Sequence, residues 1–188
     1  MKGLVVYESM FGNTRHIAEA IAEGLCSSIP TEVKLARDAV DEDLEDVGLV
    51  VVGGPTHAWG LSGTRSREGA LADAAKHPDH LLETKPLGPG VREWLHDLER
   101  HHGCYAAAFD TRFDKPTALT GSAARKIQRR LHRAGLSTLA EPHSFVVTGM
   151  AGPLALGEIE RATQWGQALG RAYVKMTAAG VKPAKIAG

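Results

Sequence analysis

Apolar and polar positions along the chain alternate between two periods. Leu4-Val5-Val6-Tyr7 is an apolar run of strand length, and Ile17, Ala18, Ile21, Ala22 and Leu25 follow at helical spacing. Thr31 to Ala36 alternates polar with apolar, as a half-exposed edge strand does, and the acidic stretch Asp41 to Asp46 predicts a short helix or turn. Val47 to Gly54 is apolar without alternation, the pattern of a central strand covered on both faces. Beyond it, Thr64 to Lys76 predicts an alanine-rich helix capped by Ser62 or Thr64, and His77 to Gly90 is a Pro- and Gly-bearing loop. Val91, Trp94, Leu95 and Leu98 predict a helix to His101, and Cys104 to Phe109 a fourth strand ending in an Asp110–Pro116 loop. A helix over Ser122–Ala134 turns Ala124, Ile127 and Leu131 inward. Ser144 to Thr148 is the fifth strand, with Leu136 to Leu139 as an extended lead-in. Ile159, Ala162, Gly166, Leu169, Tyr173 and Met176 mark the last helix.

Five strands alternating with helices predict a doubly wound α/β sheet, and right-handed crossovers favour the parallel order 2-1-3-4-5. One domain is expected over residues 1–177, with 61–90 as an inserted, lid-like segment and 178–188 as a flexible tail. In that order the loops after strands 1 and 3 flank the point where ligands bind, and the loop from Asp110 closes the same rim.

Composition removes several function classes. The 22 basic and 22 acidic side chains cancel, so no global charge points to nucleic acid or a membrane surface. No apolar run nears the roughly 20 residues of a membrane span, and a strand starting at Lys2 leaves no room for a leader. Cys26 and Cys104 lie in apolar patterns, which predicts buried thiols in a reducing compartment. A soluble cytoplasmic protein is expected. His77-x-x-His80 and His101-His102 lack the companions of a metal site, and no metal is expected. The sequence contains no Gly-x-x-x-x-Gly-Lys-Ser/Thr, and Gly53-Gly54-Pro55 offers no Asp to accept a phosphoryl group, so P-loop and phosphorelay chemistry are both set aside.

The chemistry gathers in the loops. Ser9-Met10-Phe11-Gly12-Asn13-Thr14 joins a strand to a helix start, where backbone N–H groups and the positive end of the helix dipole converge on one point. Ser9 and Thr14 add hydroxyls, Gly12 lets the backbone come close, and Asn13 or Thr14 can cap the helix. The arrangement serves a phosphate or a plain capped turn. Arg125, Lys126, Arg129, Arg130 and Arg133 stripe one helix opposite Ile127 and Leu131, either as a solvated face or as a patch for an acidic redox partner or phosphorylated ligand.

Ser9-Met10-Phe11-Gly12-Asn13-Thr14 after Val5-Val6-Tyr7 resembles the FMN-phosphate loop of flavodoxins, and Gly54-Pro55-Thr56-His57-Ala58-Trp59-Gly60 resembles their loop after strand 3. The likeness spans about residues 3–170 and implies a flavodoxin-like three-layer sandwich that binds FMN. Ser-Met-Phe-Gly is also similar to the Ser-Met-Tyr-Gly of flavodoxin-like NAD(P)H:quinone reductases. The resemblance implies Ser9 to Thr14 on the phosphate. It places Pro55, Thr56, His57, Ala58, Trp59 and Gly60 along the ring, with Trp59 or His57 stacking and Gly60 free to flip its peptide. Phe109, Asp110, Thr111, Arg112 and Phe113 fall at the third loop, where Arg112 meets the pyrimidine edge or pairs with Asp110. Phe11 stands where flavodoxins carry a hydroxyl residue, and the loop after strand 4 lacks their Gly-x-Gly-Asp. The function implied is FMN-dependent electron transfer with a redox partner protein. The alternatives are an FMN-dependent oxidoreductase acting on NAD(P)H or quinone, and an interaction module that has lost its cofactor.

Overall fold

The computed structural model describes residues 1–57, 60–76, 88–98, 104–149, 151–181 and 183. A parallel sheet runs in the order β2 (Thr31–Leu35), β1 (Lys2–Tyr7), β3 (Val47–His57), β5 (Tyr105–Phe113), and β5 is flanked by two short strands, β6 (Ser137–Thr138) and β7 (His143–Val147). This is the expected order, with the fifth strand split in two. The two-residue β4 (Gly60–Leu61) folds back antiparallel on the end of β3.

Alternation in the strands builds two cores. Leu4 and Val6 of β1 and Val50 and Val52 of β3 point to one face, covered by α3 (Val91–Asp97) and α5 (Ala123–Arg133). Val5, Leu49, Val51 and Phe109 point to the other, covered by α1 (Asn13–Cys26) and α6 (Glu158–Ala178). Phe109 and Phe145 are fully buried there and meet edge to face at 6.1 Å. Each such ring contributes about 1.5–3 kcal/mol through burial. Helices α1 and α6 approach to backbone contact: a Cβ on Gly24 would stand 2.9 Å from the Gln167 nitrogen, and one on Gly166 3.1 Å from the Ile21 Cα. Helix α2 (Thr64–Lys76) and the single turn α4 (Thr117–Thr120) complete the chain, and Asp41–Leu44 forms a 3-10 turn.

Several local expectations shift. Residues 53–57 and 110–113 belong to strands rather than loops, because β5 supplies partners to Gly53, Gly54 and Pro55, and β7 pairs with β5 as far as Phe113. Cys26 is exposed, since it sits one residue past Leu25 where the apolar face of α1 turns to solvent. Only Cys104 is a buried thiol, pushed up to about 12 by desolvation. His77, His80, His101 and His102 lie outside the described residues, as does the whole 77–87 stretch of the expected lid. Beyond α6 the Val181 carbonyl accepts a hydrogen bond from the Tyr105 hydroxyl at 2.9 Å. No helix is long and apolar enough to cross a membrane among the described residues.

Candidate functional site

At the carboxyl ends of the strands lies a cavity of about 360 Å³, a volume in the range of small-molecule and cofactor sites. The three expected loops all reach it: Ser9, Met10, Phe11, Asn13 and Thr14 after β1, Pro55, Thr56 and His57 at the end of β3, and Thr111, Arg112 and Phe113 at the end of β5. Topology explains the convergence, because β1 and β3 are neighbours whose connections leave in opposite directions.

The first loop turns tightly. Gly12 has φ 88°, a left-handed conformation that favours glycine, and its N–H donates to the Ser9 hydroxyl oxygen at 3.1 Å. Helix α1 starts at Asn13 with no side-chain cap and no acidic residue in its first turn. Neither Asn13 nor Thr14 caps it, because both lie inside the helix and are engaged elsewhere. The Asn13 amide donates to the Gly152 carbonyl at 2.6 Å, and the Thr14 and Thr111 hydroxyls meet at 2.8 Å. Two hydroxyls sharing one hydrogen bond keep one O–H for a ligand. Arg15 lies within 3.4 Å of Glu19 one turn on.

Not every expected residue lines the cavity. Phe109 is core. Asp110 is fully buried and turned toward α5: its Oδ2 accepts from Thr56 Oγ1 at 2.9 Å, Ser122 Oγ at 2.8 Å and the Ala124 N–H at 3.0 Å. It thus fixes the start of α5 and makes no pair with Arg112. Gly60 pairs with His57 in the β3–β4 hairpin, and Ala58 and Trp59 lie outside the described residues.

Arg112 is anchored at its tip, where Nη2 donates to the Lys115 carbonyl and to Thr120 Oγ1 at 2.7 Å. Its Nε is buried and meets no acceptor among the described residues. Burial holds the His57 imidazole below its ordinary value, with Glu8 opposing, which favours the neutral ring. Leu119, Thr120, Val147 and Gly149 also line the cavity and escape a sequence reading. A four-residue helix and a strand end carry no periodicity, and Gly149 in its glycine-bearing turn is the one signal that was there. Leu119 and Phe113 form an apolar lip, 64% and 42% exposed.

Beneath the first loop, Glu8 is only 7% exposed. Its carboxylate accepts from the Ser62 hydroxyl and from the Val91 N–H at 2.9 Å, and Arg67 stands 3.5 Å away. Arg67 continues in two parallel bonds to Glu93 at 3.0 and 3.2 Å. Burial opposes ionisation of Glu93, but the bonds from Arg67 and from the Gly90 N–H prevail and hold its carboxyl below the ordinary value. Helices α2 and α3 are thereby tied to the root of the loop.

Comparison with known proteins agrees with this geometry. Residues 4–67 match the flavodoxin domain family model. A flavodoxin from the domain Archaea superposes with a TM-score of 0.62 at 17% identity, covering 93% of this chain and 99% of that one. Oxidised flavodoxin 1 from Bacillus cereus gives 0.58 at 18%, covering 93% and 98%, and a WrbA-like flavodoxin from Agrobacterium tumefaciens gives 0.55 at 18%, covering 93% and 98%. None of the curated proteins matches the chain in sequence. In the order of its sheet the chain has a flavodoxin-like fold, and residues 4–67 carry the signature of the flavodoxin domain.

Proposed function

We propose that the chain binds FMN in this cavity and works in electron transfer. One observation carries the reading: a single cavity combines an uncapped, acid-free helix start at a left-handed Gly12 with a buried Arg112 Nε–H that has no acceptor among the described residues. A phosphate dianion suits the first feature and the polar edge of a flavin ring the second. The backbone of Met10 to Thr14 with the Ser9 and Thr14 hydroxyls would hold the phosphate, and Arg112 the pyrimidine edge. Of the three rings that line the cavity among the described residues, Phe11, His57 and Phe113, the last two would flank the isoalloxazine. FMN, when bound, supplies the uptake and release of electrons. The protein's own part is to orient the ring, to shield it with Pro55, Val147 and Leu119, and to offset negative charge with the Arg112 guanidinium.

A visible-spectrum titration with FMN tests this. Thr14→Ala should weaken binding by roughly tenfold, the worth of one buried hydroxyl donor. An unchanged affinity would overturn the site as drawn. The exposed lip of Phe113 and Leu119 favours a second reading, an FMN-dependent oxidoreductase that docks an apolar acceptor such as a quinone beside the ring. Bleaching of the bound flavin by NAD(P)H alone, without a separate reductase, would favour that reading over the carrier.

A further inference from the structure

From Lys115 to Ala140 the chain contains no acidic residue, and α5 within that stretch carries Arg125, Lys126, Arg129, Arg130 and Arg133. Arg125, Arg129 and Arg133 are exposed, Lys126 and Arg130 half-buried. None of the five forms an ion pair among the described residues. Arg125–Arg129, Arg129–Arg133 and Lys126–Arg130 are like charges one turn apart, which weakens a helix. Arg125 and Lys126 also stand near the positive end of the helix dipole, where cations are disfavoured. The Arg130 guanidinium donates to the Arg92 carbonyl at 2.8 Å, which brings another cation alongside. Burial and the neighbouring Arg92 and Arg133 hold Arg130 below its ordinary value, with Glu93 opposing. The anchoring of α5 needs none of this charge, since Ala123, Ala124, Ile127 and Leu131 already bury its inner face.

The cationic face begins at the wall of the cavity. The Ala123 N–H donates to Thr56 Oγ1 at 2.9 Å, and Thr56 lines the cavity. The Lys126 side chain lies across Gly60, where a Cβ would stand 2.6 Å from its Cδ. On the opposite side of the sheet α1 and α6 mix both signs, with Glu19, Glu23 and Glu160 beside Arg161, Arg171 and Lys175, whereas the charged residues of α5 are all basic.

We propose that the basic face of α5 is the docking surface for a protein that presents a cluster of Asp and Glu side chains. A local patch on a neutral molecule suits a partner surface of similar size. A long polyanion such as nucleic acid would extend past the patch and would gain no attraction from a net charge of zero. That this partner exchanges electrons with the cavity rests on the FMN reading; that it docks here does not.

The test uses the full chain and poly-L-glutamate as the probe. Binding is expected at low ionic strength and is lost at high. Arg125→Glu/Arg129→Glu/Arg133→Glu should weaken it by roughly tenfold or more, whereas Arg171→Glu/Lys175→Glu on α6 should change it by less than about twofold. Should the triple variant not fold, Arg129→Gln alone should give a smaller loss in the same direction. Equal losses at both places would overturn the proposal, because net charge alone would then explain the binding. Tighter binding of single-stranded DNA of matched charge would overturn it in favour of nucleic acid. Self-association of the wild type that the triple variant loses would assign the face to a second copy of the chain. FMN titration separates the two readings: all variants should keep wild-type affinity, and polyglutamate binding without FMN binding would bring down the flavin reading alone.

Discussion

Two buried carboxylates at strand ends perform the same task by different means. Glu8 follows β1 and receives the first N–H of α3; Asp110 lies near the end of β5 and receives an N–H from the first turn of α5. Each ties a helix start to the rim of the cavity. Glu8 has a cation beside it, Arg67, itself shared with Glu93. Asp110 has none among the described residues: two hydroxyls and one backbone N–H surround Oδ2, and Oδ1 meets no donor. Two hydroxyls and a backbone N–H suffice for Asp110, whereas Glu8, which joins β1 to α2 and α3, has a counter-charge beside it.

The largest effect should come from removing that counter-charge. Arg67→Met leaves Glu8 buried without its cation and should lower stability by about 3 kcal/mol in urea denaturation. Adding Glu8→Gln to Arg67→Met should recover part of the loss, and strict additivity would break the idea that the two act as a pair. Asp110→Asn keeps the shape but removes the charge at the start of α5, and about 1–2 kcal/mol should follow. A loss as large as that of Arg67→Met would show that the neutral arrangement is no gentler. The smallest effect lies in the acid limb. Because Glu93 is held below its ordinary value of 4.5, its contribution is present above that pH and fades as pH falls through the folded value. Glu93→Gln should therefore flatten the decline in stability below about pH 4.5, with little change in its slope near neutrality.

The skeleton was legible because strand and helix differ in period. Continuous apolar runs at β1 and β3 and the helical spacing of Ile17 to Leu25 each leave one option. Strand ends were harder to read. Thr111 and Arg112 look like loop residues, yet they extend β5 because β7 lies beside them, a partnership decided far along the chain. The fifth strand breaks in two around Pro142, which cannot donate to a ladder. The cavity's first two walls were visible in Ser9 to Thr14 and Pro55 to His57. The roles of Glu8 and Asp110 were not, since a carboxylate aimed inward reads in sequence like one aimed at water.

The backbone contact between α1 and α6 has a consequence in time. Residues 4–67 carry the family signature and include the first loop, but one flank of α1 is closed by residues 158–178. During synthesis the opening third of the chain must wait for the last helix to leave the ribosome before its own packing is complete. A nascent chain arrested before α6 would hold every residue of the first loop and lack the brace behind it.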